Sequence, residues 1–221
     1  MPTVPRHTLP PPANIIVLNG TSSSGKSSLA RALQARRGRP IQHLQLDAFR
    51  RMEPNDYWEA WNEQDPVLVA LKHAALCRAM HAALSEYVRH GIDVIFDTVL
   101  WHREDWRYLL EDLDGLPVYL VGVNCALEEL SRREQDRGDR EIGLAAGQFK
   151  TIHMGKVYDF QVDTTEASTE QCAGDVLAWL DTRPEPRAFR AVQASFGIAL
   201  KLDSGKLIEN DMPLARIRDL C

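Results

Sequence analysis

Cysteine is scarce and scattered, with Cys77, Cys125, Cys172 and Cys221 the only four in 221 residues. They show neither the paired spacing of a zinc site nor the density of a disulfide-held fold, so the sequence suits a reducing compartment. Nor is there a continuous apolar run that reads as a membrane span. The start, MPTVPRHTLPPPA, is broken by five prolines where a signal peptide needs an apolar core. These features predict a cytoplasmic protein with an irregular arm over residues 1–13. An excess of positive charge is missing too. Lys+Arg total 26 against Asp+Glu 31, a formal net charge of -5, which disfavours general binding to nucleic acid.

What is present suffices for one sizeable core, because 44% of the residues are hydrophobic and 26% charged. The run NIIVLNG, Asn14 to Gly20, is β-branched and apolar, then breaks into small polar residues before the helical pattern SSLARALQARR. That predicts a buried strand, a loop and a helix. Gly38 and Pro40 stop the helix, and IQHLQLD predicts a second strand ending at Asp47. The stretch Phe49 to Asp65 reads mostly as loop. Pro66 to His90 is the longest expected helix, ended by Gly91. Further strands are expected at IDVIFD, PVYLVGVN and VYDFQVDT. Helices are expected at WHREDWRYLLEDL, Ala126 to Arg137, Glu141 to Met154 and Ser168 to Leu180. This alternation predicts an α/β fold with a mostly parallel sheet covered on both faces. After Pro184 the pattern weakens to a short helix near Phe189 to Ser195 and a hairpin turning at Ser204 and Gly205.

The segment Gly20, Thr21, Ser22, Ser23, Ser24, Gly25, Lys26, Ser27 matches G-x-x-x-x-G-K-[ST] and lies between a predicted strand and helix. A triphosphate can be wrapped by backbone N–H groups and a helix terminus only where glycines leave room for its approach. These residues, with Ser28 next to them, are therefore expected to bind ATP, with Lys26 reaching the β and γ phosphates. The Ser27 hydroxyl is expected to bind Mg²⁺. Asp97, closing the apolar strand VIFD, stands where such proteins commonly place a carboxylate that holds the metal, usually through water.

A phosphate-binding loop leaves kinases, GTPases and mechanical ATPases open. Arg132, Arg133, Arg137 and Arg140 lie within SRREQDRGDR, at and beyond the end of a predicted helix, where a closing lid could bring guanidinium groups onto the γ phosphate. A well-placed arginine is worth about 10³ to 10⁵ in rate. A solvated helix face is the plain alternative. Asp47 could accept the proton of an attacking hydroxyl, or merely cap the turn that follows it. Phe49, Trp58, Trp61 and Trp101 could line an acceptor pocket or simply pack.

GTSSSGKSS, Asp47 in QLDAF, RREQDRGDREIGLAAGQF and IHMGKVYDFQVDTT together resemble the chloramphenicol phosphotransferase-like family of small P-loop kinases. The resemblance runs from about Asn14 to Leu180. It implies a nucleotide-kinase-like sheet, ATP as donor, Asp47 as catalytic base, and Arg137 and Arg140 as lid arginines. Lys26 and Arg133 complete the expected catalytic set. His153, in the family-like IHMG, reads as a structural residue. The expected organisation is an arm over 1–13, a kinase domain over 14–180 and an extension over 181–221 of unassigned role.

The leading expectation is an ATP-dependent phosphotransferase acting on a hydroxyl of a small molecule, with chloramphenicol or another antibiotic as a candidate. A homo-oligomer is compatible with the sequence. Two alternatives stay open: a toxin-like kinase of a macromolecule or nucleotide sugar, and a nucleotide-sensing interaction protein.

Overall fold

The computed structural model describes residues 13–52, 66–137 and 142–198, with Arg137 described by its backbone alone. The arm before Ala13, Trp58, Trp61, Arg140 and the hairpin expected at Ser204 and Gly205 lie outside the described residues.

Strand β1, Ile15–Asn19, is buried at every position. It can be apolar without alternation because both of its faces are covered. It pairs in parallel with β3, Asp93–Thr98, on one side and β4, Val118–Asn124, on the other. Outside these lie β2, Ile41–Gln45, against β3 and β5, Phe160–Asp163, against β4, giving the order β2-β3-β1-β4-β5. Parallel neighbours require crossovers, and helices supply them.

Alternate side chains of β1 enter opposite cores. Ile15 and Val17 join Met80, Leu84, Phe96, Trp106 and Leu109. Helices α3, Pro66–Arg89, and α4, Arg103–Asp112, close that face. Ile16 and Leu18 join Leu29, Leu33, Ile95, Val121 and Val176 under α1, Lys26–Arg36, and α7, Thr169–Asp181. Two further helices, α5 (Leu127–Arg137) and α6 (Leu144–Phe149), meet through Leu130 and Ala145 near the carboxyl ends of β4 and β5. The short α2, Leu46–Arg50, follows β2 directly.

The elements expected within the described residues are present, with three boundaries corrected. β2 ends at Gln45, so Asp47 sits in the first turn of α2 instead of closing a strand. Edge strand β2 has only β3 to pair with, the register stops at Gln45 against Asp97, and the chain turns helical. The helix expected over Glu141 to Met154 is confined to Leu144–Phe149, because Gly143 adopts a left-handed φ of 96° at its start and turns follow Lys150. The last strand begins at Phe160, since the Asp159 carboxylate is committed elsewhere: it accepts the Leu120 N–H at 2.9 Å and those of Arg187 and Ala188 at 2.8 and 2.9 Å.

A fourth expectation, that no segment is apolar enough to span a bilayer, also needs correction. By length and composition α3 qualifies. One face of it nevertheless packs on the sheet through Met80 and Leu84, and its Arg78 and His81 both pair with Asp112 of α4.

The Asp159 bonds begin the last described helix, α8, Ala188–Ser195, and Phe189 and Val192 enter the first core at 3% and 2% exposure. Phe189→Ala should therefore destabilise the protein by about 3–5 kcal/mol, as core aromatic deletions do. Urea denaturation followed by tryptophan fluorescence measures it. A loss within experimental error would mean that α8 is not part of the folding unit.

Candidate functional site

Because the sheet is parallel, β1, β3 and β4 all end on the same side, where a cleft of about 970 Å³ opens. Ligands of such sheets gather there because helix N-termini and loop amides converge at that edge. The β1–α1 loop forms its floor. A Cβ on Gly20 would lie 2.4 Å from the Val123 carbonyl oxygen, so only glycine lets the loop cross the end of β4. Ser23 and Gly25 hold left-handed φ values of 61° and 85°. The N-cap of α1, Gly25, offers no side chain to the first-turn amides, and no acidic residue occupies that turn. Uncapped amides at a positive helix end are a seat for an anion.

Two more observations fit a phosphate there. The Ser23 hydroxyl is buried without a hydrogen-bond partner among the described residues. Lys26, 7% exposed, reaches back over the loop to donate to the Thr21 carbonyl at 2.6 Å. A buried ammonium and an unpaired hydroxyl beside uncapped amides suit a polyanion.

Ser27, one residue further, donates its hydroxyl to Asp97 Oδ2 at 2.5 Å. The same oxygen accepts Gln45 Nε2 at 3.0 Å and lies 3.4 Å from His43 Nε2. Burial opposes the charge on Asp97, but His43, the Lys26 ammonium and Ser27 outweigh it and hold the carboxyl below its ordinary value. A hydroxyl and an ionised carboxylate side by side are hard oxygen donors of the kind Mg²⁺ takes. Gln45 and His43 were not singled out from sequence. Their role depends on the register that sets β2 beside Asp97.

The opposite wall carries Arg133. Its Nη2 donates to the Thr164 carbonyl at 2.6 Å and its Nη1 to the Thr164 hydroxyl at 3.2 Å, while Thr164 donates to the Ser24 carbonyl at 2.9 Å. Arg133 is thus coupled to the loop through one threonine. Arg132 turns away and pairs with Glu129 and Asp136 on an exposed helix face. Glu134 accepts the N–H groups of Gly143 and Ala145 at 2.7 and 3.0 Å, tying α5 to the start of α6 across the segment that contains Arg140. Gln148 of α6 accepts the Ser22 N–H at 2.7 Å. Gln148, Glu134 and Thr164 also escaped the sequence reading, although all lie in the family-like segments.

Asp47, Arg50 and Trp101 line the same cleft on the side of β2 and β3. Phe49 instead packs against the core. Beneath Trp101, Asn19 donates to the Tyr158 hydroxyl at 2.8 Å, and Tyr158 lies 2.8 Å from His153 Nδ1. Burial pushes Tyr158 up to about 12 and holds His153 below its ordinary value, despite a hydrogen bond to the Val123 backbone. The His153 imidazole is thus partnered and held toward its neutral form, which fits the structural role expected of it.

The family model described as chloramphenicol phosphotransferase-like protein matches residues 13–181. A Mycobacterium tuberculosis H37Rv protein provisionally named an O-phosphotransferase is 34% identical over 203 residues, covering 84% of this chain and 90% of its own. Among solved structures, the M. tuberculosis APS kinase CysC, in complex with AMPPNP and APS, aligns at TM-score 0.59 and 18% identity, over 78% of this chain and 99% of that one. A Deinococcus radiodurans tunicamycin resistance protein aligns at 0.56 and 21%, over 76% and 95%. At these identities the structural likenesses establish the fold, which is that of the P-loop kinases.

Asp97 gives a test in acid. Its folded pKa lies below the unfolded value, so its stabilisation is present above that value and is lost as pH falls through the folded one. Asp97→Asn should cost about 2 kcal/mol at pH 7, the scale of charge-assisted hydrogen bonds. It should also flatten the fall in stability below pH 4 in urea titrations. An unchanged acid limb would show that Asp97 is not held ionised.

Proposed function

The chain belongs to the chloramphenicol phosphotransferase-like family, and on that premise we propose that it is an ATP-dependent O-phosphotransferase acting on a hydroxyl of a small molecule. One observation carries the reading: Lys26, the Ser27–Asp97 pair and Asp47 all face a single cleft. Loop amides and Lys26 bind the triphosphate. Ser27 and Asp97 would hold Mg²⁺, which when bound offsets charge on the phosphates.

Asp47, in the first turn of α2, takes the proton of the acceptor hydroxyl. The freed oxygen forms its bond to the γ phosphorus as the bond to the β–γ bridging oxygen breaks, and ADP carries away that electron pair. Arg133 supplies positive charge from the far wall. Arg137 and Arg140 are assigned the lid role by the family resemblance. An arm over 1–13 and a kinase domain over 14–180, with an extension whose first helix, α8, packs into the domain's core, is the proposed organisation. Chloramphenicol is one candidate acceptor, and three free buried cysteines, Cys77, Cys125 and Cys172, fit cytoplasmic work.

Asp47→Asn should lower kcat about 10²- to 10⁴-fold, the usual contribution of a general base, while leaving ATP affinity intact. Transfer from γ-labelled ATP to a panel of hydroxyl compounds, with calorimetric ATP titration, separates the two quantities. Lys26→Met should weaken ATP binding itself. Full transfer by the Asp47 variant would overturn the assigned base.

A further inference from the structure

Gln148, on α6, meets the phosphate loop at a single peptide group. The N–H of the Thr21–Ser22 peptide donates to Gln148 Oε1 at 2.7 Å, and the carbonyl of the same peptide accepts the Lys26 ammonium at 2.6 Å. A trans peptide points these two groups in opposite directions, so Lys26 and Gln148 grip one plane of the loop from its two edges. Gln148 is fixed from behind as well, because its backbone carbonyl accepts the Thr151 and Ile152 N–H groups at 3.1 and 2.9 Å.

Which end of the carboxamide faces the loop follows from its chemistry. A backbone N–H can only donate, so it must meet Oε1, and Nε2 with its two hydrogens turns away. Gln148 is only 5% exposed, yet Nε2 makes no hydrogen bond among the described residues. It is not sealed in either, since the buried side-chain atoms left without a partner among those residues are Ser23 Oγ, Arg37 Nε and Asp93 Oδ2. The two donors therefore open on the cleft that Gln148 lines. Oε1 takes one N–H from the loop, and Nε2 offers two in its place.

The neighbours select the acceptor. In a loop of this type the backbone amides cradle the inner phosphates, and the lysine reaches the β and γ phosphates. Gln148 shares its peptide group with Lys26, which places it at the β–γ end. A donor held in position before the ligand arrives needs little reorganisation to meet a phosphate oxygen.

We propose that Gln148 is a phosphate-contacting residue, whose Nε2 donates to a terminal phosphate oxygen of the bound nucleotide, so that the site distinguishes a triphosphate from a diphosphate. This rests on the kinase reading above and adds to it a residue outside the loop motif.

Gln148→Glu separates this role from a purely structural one. One glutamate oxygen still accepts the Ser22 N–H, whereas the other replaces the two donors with negative charge. Calorimetric titration of the full chain with Mg·AMPPNP and with Mg·ADP is the measurement. The variant should bind Mg·AMPPNP roughly tenfold or more weakly, the scale of one lost hydrogen bond to a charged group, with Mg·ADP affinity within about twofold of wild type. In the wild-type chain, the Gln148 side-chain amide resonances followed by NMR should shift more with Mg·AMPPNP than with Mg·ADP, a readout independent of how the variant folds. Wild-type affinity for both nucleotides in the variant, equal losses for both, or amide shifts that do not distinguish them would each overturn the contact and leave the kinase reading standing. A folded wild-type chain that binds neither nucleotide overturns both.

Discussion

Burial of β1 between two parallel neighbours is the constraint on which the other features rest. A strand covered on both faces and paired on both edges leaves no freedom in register, so Asn19 ends level with Thr98 and Gly122. The loop after it must then cross the end of β4, which Gly20 permits by lacking a Cβ. The same register sets Asp97 within reach of the first hydroxyl of α1, and the Ser27–Asp97 hydrogen bond joins α1 to β3 across the cleft floor. None of these groups reaches its partner if β1 shifts by one residue, because a one-residue slip exchanges the two cores.

The cleft is divided by charge as well as by position. Toward β4 and β5 the loop amides, Lys26, Arg133 and Thr164 converge on the place where a helix terminus favours anions. Toward β2 and β3 stand Asp47, Arg50, His73 and the exposed face of Trp101, which is 38% accessible and fixed by its indole N–H to Thr151. A nucleotide on one side and a polar acceptor on the other would meet above Ser27 and Asp97. Removal of water from that meeting point strengthens each of these interactions. The residues of α2, α3 and the β3–α4 turn line the cleft outside the phosphate loop, so on the proposed reading they would choose the acceptor, and shared chemistry with separate substrates is compatible within one family.

Much of this was legible in residue order. The threonine and three serines between two glycines, the apolar run before them and the helical period after them fixed the loop, because close backbone approach and phosphate binding leave few alternatives in sequence. Strand–helix alternation fixed a parallel sheet for a similar reason, since buried strands read as continuous apolar runs. Asp97 was visible as a carboxylate ending such a run. Asp47 was visible too, but its setting was not. An edge strand with one partner stops where that partner's register stops, and local propensity does not encode the position.

Sequence alone determined the chemistry available at the end of β1: an ammonium, a hydroxyl and glycines at fixed spacing, whose meaning depends on nearby backbone. Tertiary structure decided which distant groups meet that chemistry. Gln45 joins Asp97 across 52 positions, Gln148 reaches Ser22 across 126, and Thr164 reaches Ser24 across 140. His73 finds Asp105 on a different helix. Local pattern carries the first kind of information because hydrogen-bonded loops and helices are short-ranged. The second kind arises only when packing of both sheet faces sets the strand order and brings remote side chains to one edge.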